Sequence, residues 1–303
     1  MLAPSGQQFH ISSGDYAAVV TESGGALRAL THRGRPLLDG FEEDRTASGG
    51  RGQLLMPWPN RIRDGRYRFE GDSQQLALSE PSRHNASHGL VRWAAWSLVA
   101  HRPDHVTLGY RLMSQTGYPW TLDVEVGYAL GADGLTVTQT ATNRSDTVAP
   151  YASGAHPYLL AGAGPVDGWT VEVPAEVRML TDAERLLPTG TEDVDGTPYD
   201  LRTPRELGDL VLNHAYGRLQ RGEDGRATAR LRAPEGTGVE LWVDGRHQWL
   251  MLYTADDVPA TARHSLAVEP MTAPPDAFNS GLDLVRLAPG ERVSASWGVR
   301  STD

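Results

Sequence analysis

From Phe9 to Val299 this 303-residue chain is broken into short stretches that alternate apolar and polar residues, punctuated by Gly, Pro and Asp, with no stretch of helical period. An alternation of period two buries a single face only when the backbone is extended, so the chain is constrained to sheets. In Asp123-Val124-Glu125-Val126-Gly127-Tyr128-Ala129-Leu130 the residues Val124, Val126, Tyr128 and Leu130 share one face. Gly131-Ala132-Asp133-Gly134 then turns the chain into residues 135–142, which predicts an antiparallel hairpin whose other face is solvated or lined by threonine. Similar alternation over 169–173, 238–243 and 248–253, without a linker-like change in composition, predicts one all-β domain over residues 1–303, a sandwich of large antiparallel sheets. No repeat period signals a propeller, and Gly162-Ala163-Gly164-Pro165 lacks the following helix that a phosphate cradle needs.

Composition excludes several classes of partner. A formal charge of -10 and a pI near 5.5 argue against nucleic acid, which selects basic stripes. The N-terminal residues lack the charged and apolar regions of a signal peptide, and no apolar run approaches the roughly 20 residues that span a bilayer. A cytoplasmic location away from membranes is the expectation, and the sequons at Asn85 and Asn143 need no glycan. Without cysteine there is no disulfide to infer.

Four islands carry the chemistry: Pro57–Gly71, with Asn60-Arg61 just before the turn dipeptide Asp64-Gly65; Ser87-His88-Gly89-Leu90-Val91-Arg92-Trp93; His156-Pro157-Tyr158; and Val268-Glu269-Pro270. Asp64-Gly65 followed by the alternating Arg66-Tyr67-Arg68-Phe69 predicts a tight hairpin, with Asn60 and Arg61 held just before it. His156 follows an extended run and titrates near neutrality, so it can give a proton to a leaving oxygen and take it back. The competing reading is a structural histidine satisfied by backbone. Glu269 is a carboxylate at the end of an apolar strand, costly there unless used or paired with an arginine. His84 and His88 have an i, i+4 spacing, but Asn85, Ser87 and Gly89 favour a loop and further ligands are missing, so no metal is expected. Trp58, Trp93, Trp96 and Trp249 lie near these islands, and no one of them is marked as a sugar platform.

The islands, together with Gly24-Gly25-Ala26-Leu27, Gly117-Tyr118-Pro119 and Pro275-Asp276-Ala277-Phe278-Asn279, resemble the aldose 1-epimerase (galactose mutarotase) family over nearly the full chain, and within it the bacterial YihR-like branch. The resemblance implies a galactose-mutarotase-like β-supersandwich and a cofactor-free isomerase that interconverts α and β anomers of a free monosaccharide. It assigns Glu269 as the general base on the anomeric hydroxyl and His156 as the acid on the ring oxygen. Arg61 and His88, with Asn60 beside them, become sugar ligands. Where many members carry a sugar-binding aspartate, this chain has Asn213, an amide that still bonds hydroxyls without the charge; Asp209 is the nearby acid that would replace it. A hexose-6-phosphate or sulfo-sugar epimerase and a noncatalytic sugar-binding protein are the alternatives, and either a monomer or a homodimer is compatible.

Overall fold

The computed structural model describes residues 2–303, and antiparallel sheets make up nearly all of its regular structure. The largest has nine strands, in the order Ser97–Arg102, His105–Leu112, Leu122–Gly131, Gly134–Asn143, Arg292–Ser301, Gly238–Val243, Ala227–Arg232, Thr170–Glu172 and Arg205–Glu206. Its central hairpin closes at the register Gly131↔Gly134, as the alternation predicts. Leu122, Val124, Val126, Tyr128 and Leu130 are buried on one face. On the other face Thr138 and Thr140 hydrogen-bond Ser296 and Ser294 across the ladder, each at 2.9 Å.

A second sheet runs Pro188–Asp193, Ala175–Thr181, Asn213–Leu219, Trp249–Tyr253, Leu266–Met271, Gly154–Ala155 and Leu54–Leu55. Its alternation decides where chemistry can occur. Tyr216, Leu250, Leu252, Leu266 and Val268 join the nine-stranded sheet's buried side chains in one continuous core. Each such side chain contributes roughly 1.5–3 kcal/mol relative to exposure. The intervening residues Asn213, Met251 and Glu269 point the other way, into a cleft roofed by the loops around 47–51, 79–93 and 253–261.

The hairpin predicted around Asp64-Gly65 is corrected in its pairing. Both residues do adopt left-handed backbone, φ 56° and 59°, and Gly65 N–H bonds the Ile62 carbonyl at 3.1 Å. The flanking strands, however, take other partners: Arg61–Arg63 pairs with Asn85–Ser87, and Arg66–Phe69 with Asp72–Gln75. The turn chemistry was local, whereas the pairing was settled by which neighbour buried Ile62, Ala86, Tyr67 and Phe69. The one α-helical turn among the described residues, Ala277–Ser280, packs Phe278 against Trp58 and Tyr67.

Candidate active site

His156 and Glu269 meet because of strand register. Gly154 pairs with Met271 and Tyr158 with Ala267, so the interrupted strand keeps one register and position 156 falls opposite 269. His156 Nε2 lies 3.3 Å from Glu269 Oε1, with the two residues 5% and 2% exposed. Pro157 and Pro270 flank the pair; the backbone at 156 is held instead by Gly52 N–H to the His156 carbonyl and His156 N–H to the Gln53 carbonyl, both 3.0 Å. Gly50 permits this packing, since its φ is +81° and a Cβ there would lie 2.7 Å from the imidazole Cδ2.

The imidazole is wedged between aromatic rings. Tyr158 stacks on it at 4.9 Å, and His88 meets it edge-on at 5.4 Å. Arg51 lies 4.4 Å from the Tyr158 ring centroid and is ion-paired with Asp39 at 3.0 Å. Among the described residues His156 Nδ1 bonds no backbone group, and Glu269 Oε2 has no hydrogen-bond partner and no arginine in an ion pair.

Burial sets the electrostatics. It pushes the Glu269 carboxyl up to about 8, with Arg61's charge opposing it. Burial, aided by the charge of Arg92, pulls the His156 imidazole down to about 3. The resting pair therefore holds one proton, on the carboxyl. Linkage gives a stability consequence. Glu269 contributes stability that is full below its ordinary 4.5 and is lost as pH rises through about 8. His156 contributes stability present above its ordinary 6.5 and lost as pH falls through about 3. Between 4.5 and 6.5 the two slopes cancel; above 6.5 the carboxyl's loss stands alone. The urea-unfolding midpoint should thus fall from pH 6.5 to 8, and Glu269→Gln should flatten that fall. A fall of native size in the variant would place the titration elsewhere.

The sugar-ligand candidates gather around this pair. Asn60, Arg61, His88 and Asn213 all line the cleft of about 520 Å³ that contains His156 and Glu269. Asn60 has left-handed backbone, φ 53°, and its carbonyl accepts the His88 N–H at 2.8 Å. In return Asn60 N–H donates to His88 Nδ1 at 3.2 Å, which leaves the hydrogen of the neutral ring on Nε2. Burial keeps His88 well below its ordinary range. Gly89 is needed beside it, because a Cβ there would lie 2.0 Å from the Met56 carbonyl. Arg61 is clamped by Glu80 through Nε and Nη2, at 2.8 and 2.9 Å. Asp276 accepts the Arg63 N–H at 3.0 Å and donates its own N–H to the Arg61 carbonyl at 2.7 Å, tying the 275–279 motif to this strand.

Asn213 reaches the cleft from the neighbouring strand: Ala215 pairs with Met251, Met251 with Glu269, and Asn213 lies two residues along on the same face. Asp209 is exposed and does not line the cleft. His84 turns away to Asp64 at 3.5 Å with 69% of its side chain exposed, and among the described residues no group of three His, Cys, Asp or Glu is placed to hold a metal. Of the four tryptophans, Trp58, Trp96 and Trp249 are core, and only Trp93 lines the cleft, 57% exposed. Glu80, Arg51, Arg92 and Tyr253 also line it; sequence reasoning gave none of the four a role, and only Arg92 lay within one of its islands. The Gly49-Gly50-Arg51-Gly52 run was the available signal for Arg51.

The sequence profile described as aldose 1-epimerase matches residues 7–300. The chain is 33% identical over 288 residues to the uncharacterized protein YihR of Escherichia coli (strain K12), covering 95% of this chain and 91% of that protein. It is 30% identical over 256 residues to the galactose mutarotase of Bos taurus, covering 77% and 73%. The solved GalM/aldose epimerase homologue from C. elegans shares the fold, with a TM-score of 0.86 at 21% identity over 98% of this chain and 99% of that one.

Proposed function

The chain belongs to the aldose 1-epimerase family, and from that premise we propose that it interconverts the α and β anomers of a free monosaccharide. The observation that carries this reading is the His156–Glu269 contact of 3.3 Å on the buried floor of the cleft. Glu269 removes the O1 proton as His156 protonates O5, so the C1–O5 bond breaks and C1=O forms. Rotation about C1–C2 presents the other aldehyde face. His156 then recovers the O5 proton, Glu269 returns its own to O1, and the ring closes with the enzyme restored.

A raised carboxyl range supports the base role, because a carboxylate poised near neutrality accepts a hydroxyl proton more readily than one near 4.5. Bound sugar shifts the shared proton in the required direction. An O1–H donated to Glu269 favours the carboxylate, and a ring oxygen accepting from His156 favours the imidazolium. His88 Nε2–H and the Arg61 guanidinium supply donors for hydroxyls, and holding the sugar in place contributes the remaining acceleration.

NMR exchange between anomers at equilibrium tests the reading: cross-peaks between the two C1 protons should grow with enzyme concentration. A noncatalytic sugar binder would shift resonances without accelerating exchange, and that result would overturn the proposal. Asn213 supports a tuning role, since it reaches the cleft as a neutral amide. Asn213→Asp should change KM by about tenfold across a sugar panel, because a charged acceptor holds a hydroxyl more strongly than a neutral one. The pH profile of exchange should keep its shape; a displaced profile would put Asn213 in the proton transfer.

A further inference from the structure

A second cavity, of about 200 Å³, shares none of its lining residues with the catalytic cleft. Four polar residues that line it, Gln139, Tyr151, Ser153 and Thr272, are each 7% exposed or less. Most of their polar atoms are matched within the protein. Gln139 Nε2 donates to the Gly154 carbonyl at 2.9 Å, and its Oε1 accepts the Trp297 indole N–H at 3.2 Å. Thr272 Oγ1 accepts the Ser153 N–H at 2.8 Å and donates to the Ser153 carbonyl at 3.2 Å. Tyr151 differs. Its buried hydroxyl has no hydrogen-bond partner among the described residues. Burial holds the phenol above the ordinary tyrosine range; the Ser153 hydroxyl is close enough to oppose that effect without reaching hydrogen-bond geometry. A buried hydroxyl without a partner is costly and uncommon. One water would satisfy it in roughly 30 Å³, far less than this cavity offers.

The chemistry of the lining selects the ligand. Its buried polar side chains are hydroxyls and an amide, which both donate and accept and carry no charge. A buried anion would need clustered cationic donors and a buried cation clustered carboxylates, whereas the only charged side chains here, Arg246 and Asp283, stand exposed at the rim. The hydroxyls of a sugar or polyol match such a lining because they too donate and accept. Its C–H surface is matched by Val285, Val293 and Ala295. We propose that this cavity is a second ligand site, which takes an uncharged polyhydroxylated molecule, a cyclic sugar or an open-chain polyol, with the Tyr151 hydroxyl among its contacts. The assignment does not rest on the anomer-exchange reading. It does bear on the catalytic pair, since Ser153 precedes His156 by three residues and Thr272 follows Glu269 by three. An occupant would therefore brace the far ends of both segments that carry the acid and the base.

Two indole groups report on the cavity, because Trp249 Nε1–H donates to Asp283 at 2.8 Å and Trp297 Nε1–H to Gln139. Indole N–H signals of the full chain should be followed by NMR during titration with methyl β-glucopyranoside, myo-inositol and sorbitol, none of which has a hemiacetal to open. Both signals should move and saturate. Tighter binding of the first two would identify a cyclic sugar, and of sorbitol an open-chain polyol. Tyr151→Phe should weaken the affinity read at Trp297 about three- to tenfold, the range of one neutral hydrogen bond. Without ligand that variant should be at least as stable to urea as the native chain, because the hydroxyl has no protein partner to lose. No saturable movement of Trp297 would mean that the cavity holds water only, and a response confined to Trp93 would place the ligand in the catalytic cleft; either overturns the proposal. So would tighter binding of glucuronate or glycine, or an unchanged affinity in folded Tyr151→Phe. Should Tyr151→Phe fail to fold, the native protein decides: nuclear Overhauser contacts between the bound ligand and the Tyr151 ring are expected, and their absence overturns the assignment.

Discussion

Glu269→Gln is expected to lower kcat for anomer exchange by about two to four orders of magnitude, the usual worth of a positioned general base. Glutamine keeps the volume of a residue that is 2% exposed and sits among fully buried neighbours on its strand, so packing is nearly preserved. What it removes is the acceptor for the O1 proton. KM should move far less than kcat, because the hydroxyl donors on His88 and Arg61 remain. Equilibrium NMR exchange separates the two parameters, and wild-type kcat in the variant would exclude Glu269 as the base. The variant should also be more stable than the native chain at pH 8, where burying the ionised carboxyl is costly. A loss of activity joined to a gain of stability is hard to ascribe to misfolding.

How much was legible in the sequence depended on the range of the interaction. The hairpin of 122–131 with 134–143 could be read from alternation because both its core face and its turn are local. Glu269 stood out because a carboxylate interrupts an apolar strand, and His156 because of its place in a motif. Their meeting at 3.3 Å was not readable, since it depends on a register joining segments more than a hundred residues apart. The same limit hid that Arg92, within the Ser87–Trp93 island, has no ion-pair partner among the described residues. Its character lies in what it lacks, and an unpaired arginine looks like any other until every carboxylate in the cleft has been matched to a partner. The misassigned hairpin at Asp64-Gly65 failed for a related reason: Asn85–Ser87 is distant in sequence, yet it displaced the local partner of Arg61–Arg63.

His156→Gln should reduce kcat to a similar extent, about two to four orders of magnitude. The amide nitrogen can stand where Nε2 stands and still touch Glu269, but it cannot deliver a proton to O5. The double variant is the more demanding test. Ring opening needs O1 to lose a proton as O5 gains one, so neither residue does useful work when its partner is gone. Combining His156→Gln with Glu269→Gln should therefore cost little more than either change alone, as for residues that act as a unit. Independent contributions would instead multiply, giving a loss of about four to eight orders of magnitude that disappears beneath the uncatalysed rate. Each single variant must retain measurable exchange for the comparison, and the slow spontaneous reaction sets the floor against which it is read. A double variant whose exchange falls to the spontaneous floor while each single variant stays measurably above it would mean that His156 and Glu269 act on different steps, and that the 3.3 Å contact between them is structural.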